Sequence, residues 1–350
     1  MTAKQETVLP LLLQEAHDRG ASDLFLLPGE PPTFRVSGVL ERSNSQVLTA
    51  DEVEALATGL IGTERVKAIG REQSDVVTTC GVDGVVDGRA CIARSLGSVT
   101  IVVRLLPRRL PTLQELDVPG VMQEMMYCPN GLIIISGPAG SGKTTTLLAL
   151  LEHLNQTRAE HIRTVENPLS YRLTPKKAII IQQEVGSDTP STLAGIKTAM
   201  LQDLDVLMIG ELRTAEEVQA CITAAETGHL VVVQVHADNP AHAITRMVDA
   251  MPEDLKAIFG RKLAAQLRVV LTQRLLPDVK GGRVAAYALL IADNEMRQAL
   301  QSGGDILTRR LPWPAGCQTM QEGVARLLAE GRIAQKAADE AIAALENQPH

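Results

Sequence analysis

Aromatic side chains are scarce in this chain: three Phe, three Tyr and one Trp among 350 residues, or 2%. Proteins that hold single-stranded nucleic acid stack bases on aromatic platforms, so this composition argues against that class. Positive charge is not in excess either. The 34 Lys and Arg are outnumbered by 41 Asp and Glu, for a net charge of −7, and no basic stripe appears of the kind that tracks a phosphate backbone. No nucleic-acid partner is expected. The five cysteines (Cys80, Cys91, Cys128, Cys221 and Cys317) are an odd number and form no C-x-x-C pair. That excludes zinc spacing and points to reduced thiols, packed mostly as small hydrophobes. No run approaches the ~18 apolar residues a membrane helix needs. Residues Met1 to Glu6 include an acid and lack the apolar stretch of a signal peptide. The expectation is a cytoplasmic chain that reaches a membrane only through a partner and does not insert.

What is present is enough for two domains. The chain is 45% hydrophobic and 21% charged over 350 residues, ordinary values for a globular protein with ample core. Leu9 to His17 reads as a short helix, and Leu24 to Leu27 as a strand. Thr33 to Val36 and Val39-Leu40 bracket Ser37-Gly38 as a hairpin. Thr49-Ala50-Asp51-Glu52 is a capping box opening a helix to about Leu60. From Ser74 to Leu106 the pattern is β. Residues 1–106 therefore form a first α/β domain. Pro107 to Thr112, with two prolines and two arginines, reads as a stiff, solvated linker within 107–117. From about Val118 to 300, strands and helices alternate, as in a mostly parallel sheet covered on both faces. Residues 301–350 form a helical tail, with amphipathic helices at Met320 to Leu328 and Ile333 to Leu345.

One segment carries a specific chemistry. Gly137-Pro138-Ala139-Gly140-Ser141-Gly142-Lys143-Thr144 fits the phosphate-loop pattern G-x-x-x-x-G-K-S/T without a mismatch. Gly131 to Ser136 before it reads as a buried parallel strand, and Thr144 to Leu154 after it as a helix. In such a loop the glycines let backbone N–H groups point at phosphate oxygens, which the helix N-terminus also attracts. Lys143 reaches the β- and γ-phosphates of ATP, and the Thr144 hydroxyl takes Mg²⁺. Thr145 follows in the first helical turn. A glycine-rich turn with a chance lysine is the plain alternative, and the flanking strand and helix argue against it.

A second apolar run, Val206-Leu207-Met208-Ile209, is followed by Gly210-Glu211. This fits a buried strand with an acid at its carboxyl edge, where open α/β sheets bind ligands. Glu211 either holds the metal shell, polarises the attacking water, or merely caps a helix; beside a phosphate loop the first two readings are favoured. Thr214-Ala215-Glu216-Glu217 is another capping box, for a helix to about Glu226. His229 opens the next strand and His236 closes it. A histidine there either senses the γ-phosphate or is a satisfied polar residue, and spacing alone leaves both readings open.

Together these segments resemble the type II/IV secretion ATPases. Ala224 to Val231, with His236 beyond, is similar to that family's histidine box, and Asp205 through Gly210-Glu211-Leu212-Arg213 to its Walker B segment. Ala21-Ser22-Asp23-Leu24, Arg35-Val36-Ser37-Gly38 and Gly282 to Ala286 resemble segments of its pilus-retraction branch, over about Leu9 to Leu345. The resemblance implies a PAS-like N-terminal domain, a RecA-like phosphate-loop ATPase domain and assembly as a homohexamer. It implies ATP and Mg²⁺ as ligands, and site roles for Glu211, Arg213, His229 and His236. Arg89 and Arg104 match the arginines that complete the site in trans, although both are also compatible with solvated strand positions. The partner it implies is an inner-membrane platform protein of a pilus or secretion machine.

The chain departs from the family in one chemically serious place. The acidic box reads Val165-Glu166-Asn167-Pro168-Leu169-Ser170, with Asn167 where the family keeps an aspartate and Ser170 where it keeps the glutamate that activates water. A serine at its ordinary pKa cannot take a proton from water at neutral pH. Glu166 remains, able to hold the metal through water. Glu295 to Leu300 is a blurred version of the retraction branch's C-terminal motif, and Gly303 to Cys317 has no counterpart. Three functions follow: a hexameric ATPase motor most like the retraction motors, a slow or inactive accessory subunit partnering a competent paralogue, and a DNA-translocating ATPase. The acidic balance and the few aromatics argue against the last.

Overall fold

The computed structural model describes residues 8–36, 38–71, 75–82, 85–106, 109–301 and 316–346, side chains excepted at 299–301 and 346. The expectations resting on Met1 to Glu6, Ser37, Ser74, Pro107-Arg108 and 303–315 lie outside the described residues. The chain divides into two compact units. One is Met1–Arg109 with Pro168–Arg172, and the other is Leu110–Asn167 with Leu173–His350.

The first unit has strands β1 (Ala21–Leu26), β2 (Thr33–Val36), β3 (Val39–Arg42), β4 (Val76–Val82), β5 (Val86–Ser95) and β6 (Ser98–Leu105), with helices α1 (Val8–Asp18), α2 (Ala50–Ile61) and α3 (Thr63–Ala68). They form one antiparallel sheet in the order β3-β2-β1-β6-β5-β4. Burial alternates along β5 and β6: Val86, Ala90 and Ile92, then Val99, Ile101 and Val103, face inward. Those residues pack with Leu13, Val53, Leu56 and Ala57 of α1 and α2. A period of two on an antiparallel sheet leaves the other face polar. Thr49 and Glu52 form the expected reciprocal cap on α2.

The second unit contains helices α4 (Val121–Met125), α5 (Lys143–Thr157), α6 (Thr192–Ala199), α7 (Ala215–Glu226), α8 (Pro240–Asp249), α9 (Glu253–Gln266), α10 (Asn294–Gln301), α11 (Met320–Ala329) and α12 (Gln335–Glu346). Its strands are β7 (Gly131–Ser136), β8 (His161–Glu166), β9 (Ile179–Glu184), β10 (Val206–Ile209), β11 (Leu230–Val235), β12 (Leu267–Pro277) and β13 (Arg283–Ile291). The sheet order is β13-β12-β7-β11-β10-β8-β9, parallel except for the β12–β13 pair. Every residue of β7, β10 and β11 is buried, as continuous apolar runs covered on both faces should be. Helices α6 to α9 cover the face carrying Leu132, Ile134, Leu207, Val231 and Val233; α5 covers the other.

Residues 110–117, read from the sequence as linker, instead pack as part of the second unit. The Tyr287 hydroxyl donates to the Leu116 carbonyl at 2.9 Å, Asp117 pairs with Arg326 at 2.6 Å, and Leu113 and Val118 are buried. The helical tail also belongs to this unit. Met320, Val324, Leu327, Ile333, Ala338 and Ala341 pack against Leu276, Val284, Ala286 and Ala288 of the β12–β13 hairpin. Helix α11 lies so close to β13 that a Cβ on Gly323 would overlap the Tyr287 carbonyl oxygen. Valine is a slightly better helix former than glycine, so propensity alone predicts that Gly323→Val stabilises the protein. Packing predicts the opposite, a loss of about 1–3 kcal/mol from overpacking, and urea denaturation decides between them by sign.

Candidate active site

Parallel pairing brings four chain segments to one edge of the second sheet. Val206 to Ile209 of β10 align with Leu230 to Val233 of β11, and Leu230 to Val235 align with Gly131 to Ser136 of β7. Their carboxyl ends therefore open onto the same crevice, with Glu166 at the end of β8 beside them. This is where such sheets hold ligands.

The loop after β7 is shaped by its glycines. Gly137, Gly140 and Gly142 have φ of 149°, 73° and 85°. A Cβ at Gly137 would lie 2.5 Å from Ser141 Oγ, and one at Gly142 would lie 2.7 Å from Gln273 Nε2. The Ser141 Oγ is buried and has no hydrogen-bond partner among the described residues. A tight glycine cradle holding an orphaned donor is what a phosphate group would satisfy. Ala139 is exposed and Pro138 half-buried on the loop. Lys143 opens α5, largely buried, and its Nζ donates to the Gly137 and Pro138 carbonyl oxygens at 2.9 and 2.7 Å. Burial pushes the Lys143 ammonium below its ordinary pKa of 10.5, and the Glu211 and Asp238 carboxylates act against that shift. Thr144 and Thr145 follow, both half-buried.

A chain of charged and titratable groups crosses the crevice. Lys143 Nζ lies 3.5 Å from His236 Nδ1, and His236 Nε2 lies 3.4 Å from Glu211 Oε1. The other Glu211 oxygen accepts from Arg213 Nη2 and Nε at 2.8 and 3.1 Å. Glu211, Arg213 and His236 are thus brought together beside the loop. Glu166 is buried, and its Oε1 accepts from Thr164 Oγ1 at 2.8 Å and from Gln182 Nε2 at 3.4 Å. A Cβ on Gly210 would lie in van der Waals contact with the Glu166 Cα, at 3.4 Å, so the backbone after β10 packs against Glu166.

His229 is not brought to the loop. It precedes β11 whereas His236 follows it, and seven residues of strand rising about 3.3 Å each put the two about 23 Å apart. The His229 ring instead lies at the end of α7, with Nδ1 2.9 Å from the Ala224 carbonyl oxygen. Asp205 likewise sits at the amino edge, accepting from the His161 N–H at 2.7 Å.

No cluster of three or more His, Cys, Asp or Glu able to hold a metal exists among the described residues. In nucleotide sites Mg²⁺ takes one or two protein oxygens and otherwise phosphate and water. The Thr144 hydroxyl and the Glu211 carboxylate are the oxygens at hand.

In the first unit Arg89 and Arg104 are cross-strand partners, on the sheet face away from the helices. Like charges directly opposite repel. The row continues with Asp23 opposite Arg104 and Arg35 opposite Asp23. Asp23, buried, binds Arg104 Nε at 3.0 Å and lies 4.0 Å from Arg35 Nε. Sequence reasoning quoted Asp23 within a motif without giving it a role. It also passed over Gln234, the one polar side chain in the run Leu230 to Val235, whose interruption of an all-apolar strand was the available signal.

The model of the type II/IV secretion system protein family matches residues 2–345 of this chain. The chain belongs to that family. It is similar to the type IV pilus retractation ATPase PilT of Pseudomonas aeruginosa, 33% identical over 341 residues and covering 94% of this chain and 96% of that one. It is also similar to the uncharacterized protein YggR of Escherichia coli, 34% identical over 318 residues, covering 89% and 95%. Among solved structures, the pilus retraction motor PilT with bound ADP superposes with a TM-score of 0.86 at 34% identity, over 95% of this chain and 96% of that one. The phosphate-loop fold of this secretion-family ATPase is thus that of a nucleotide-bound relative.

Gly142→Ala should abolish nucleotide binding while leaving the far-UV CD spectrum intact, because it combines a left-handed φ with a clash against Gln273; unchanged binding of a fluorescent ADP would refute the cradle. The buried Lys143 predicts a pH dependence. Phosphate beside the ammonium favours its charged form, so the complex holds a proton that the free site gives up at lower pH. Affinity should therefore fall as pH rises through the alkaline range below 10.5. Calorimetry in buffers of different ionisation enthalpy should detect net proton uptake there, and proton release would contradict the assignment.

Proposed function

We propose that this chain is a Mg²⁺-dependent ATPase that converts ATP and water to ADP and phosphate and drives a type IV pilus or type II secretion-like machine, in the manner of a pilus-retraction motor. The observation that carries the reading is the convergence of Ser141, Lys143, Thr144, Glu211 and His236 at one sheet edge in a member of this family. The glycine loop binds the phosphates, Lys143 neutralises the γ-phosphate, and Thr144 holds Mg²⁺, which when bound supplies charge neutralisation between the phosphates. Glu211 orients water or metal. Arg213 fixes the Glu211 carboxylate, and His236, placed between Lys143 and Glu211, carries the loss of the γ-phosphate to the end of β11. The chain works as a homohexamer, in which Arg89 and Arg104 of the first unit complete a neighbour's site. Its partner is an inner-membrane platform protein, and it acts at the cytoplasmic face of the membrane. No site role is proposed for His229, because its ring serves the end of α7.

A second reading rests on Asn167 and Ser170. Glu211, an alternative acid beside the loop, already accepts two bonds from Arg213 on one oxygen and faces His236 with the other, so both of its oxygens are engaged. Turnover is therefore slow, and the chain serves as an accessory subunit beside a paralogous ATPase that keeps both acids.

The test is the steady-state ATPase rate of the purified protein and two variants. Lys143→Ala should remove whatever rate the wild type has. Asn167→Asp with Ser170→Glu should raise kcat by about 100-fold, the usual worth of a positioned base. Equal negligible turnover in wild type and double variant would defeat the enzyme reading. A fast wild type that the double variant does not improve would defeat the accessory one.

A further inference from the structure

Gln234 occupies an unusual position. It is a buried amide in an otherwise apolar strand, one residue from the end of β11, and 9% exposed. Its neighbours in the run, Val233 and Val235, pack into the core on the α6–α9 face. The alternation of a strand therefore turns Gln234 and His236 to the opposite face, towards α5. There the two side chains meet consecutive residues of the phosphate loop. His236 meets Lys143, and Gln234 Oε1 accepts the Thr144 hydroxyl at 3.1 Å.

The direction of that bond matters. A threonine hydroxyl has one proton and two lone pairs. With its proton given to Gln234, Thr144 Oγ1 turns both lone pairs away from β11 and into the crevice, as a cation ligand must. A hydroxyl without an acceptor behind it rotates freely and offers its proton to the crevice as readily as a lone pair. Within the described residues Glu211 makes no bond to Thr144. Its oxygens face Arg213 and His236, so the acceptor on Thr144 is an amide and not an acid.

We propose that Gln234 is the positioning residue for Mg²⁺, acting through Thr144: it fixes the hydroxyl proton so that the oxygen is held ready for the cation. This rests on the reading of Thr144 as a metal ligand. Outer-shell partners of this kind are worth about 10- to 100-fold in metal affinity. The bond from Thr146 Oγ1 to Gln273 Oε1 at 2.7 Å is a different case, since Thr146 is completely buried and anchors α5 to β12.

The experiment uses the full chain and a fluorescent, non-hydrolysable ATP analogue, titrated in excess EDTA and at increasing Mg²⁺. In the wild type, Mg²⁺ should tighten binding. In Gln234→Leu, the Mg²⁺ concentration giving half of that tightening should rise about 10-fold, while the Kd in EDTA stays within about twofold of wild type. Gln234→Glu keeps an acceptor oxygen in the same place and should restore half-saturation to near the wild-type value. A role limited to packing would weaken binding equally with and without Mg²⁺, and glutamate would not rescue it; that result overturns the proposal. So does a Gln234→Leu variant indistinguishable from wild type. If the wild type itself binds the analogue but shows no Mg²⁺ effect, the reading of Thr144 as a metal ligand fails first and the role of Gln234 falls with it.

Discussion

Gly131–Ser136 runs beside Leu230–Val235 in parallel register, residue against residue, and the nucleotide machinery hangs on that pairing. All twelve residues are buried. A slip of one residue would turn every side chain of a strand to the wrong face, moving Gln234 and His236 away from α5 and into the core. The apolar runs that make these strands thus also set which polar groups emerge at their ends. Burial on both faces leaves no room for adjustment, so the phosphate loop, the Thr144 acceptor and the Lys143 neighbour are specified by one hydrophobic constraint.

Around that frame the electrostatics are arranged in series. Lys143 is desolvated and sits on its own loop carbonyls, within reach of His236, which reaches Glu211, which Arg213 holds. A nucleotide that drew Lys143 to its phosphates would change what His236 faces, and His236 lies beside the Glu211 carboxylate. The strand end and the loop after β10 are coupled through contacts on one edge of one sheet. In the first unit a similar economy appears. Asp23 offsets the repulsion between facing arginines and holds Arg104 with a direct bond.

Much of this was legible in the residues. The phosphate loop, its strand and its helix, the capping boxes at Thr49 and Thr214, and the apolar strands ending at Glu211 and His236 are local patterns. They depend on the spacing of neighbours along the chain. The same holds for the substitution of Ser170 into the acidic box, which is a statement about identity at a position. The linker was misread because prolines and arginines signal solvation locally, whereas residues 110–117 are held by Tyr287 and Arg326, far along the chain. Asp23 and Gln234 were passed over for the same reason. Their partners lie on other strands and on a helix brought in by the fold.

The amino-acid sequence by itself determined the phosphate-loop pattern from Gly137 to Thr144 and placed Asn167 and Ser170 where the family resemblance implies acids. Those facts need only covalent order, since a phosphate cradle is built from consecutive backbone groups. Only the tertiary structure decided that His236 stands between Lys143 and Glu211, and that an amide stands behind Thr144. Those facts depend on strand register, which is set by burial between segments distant in the chain, and no local pattern encodes it.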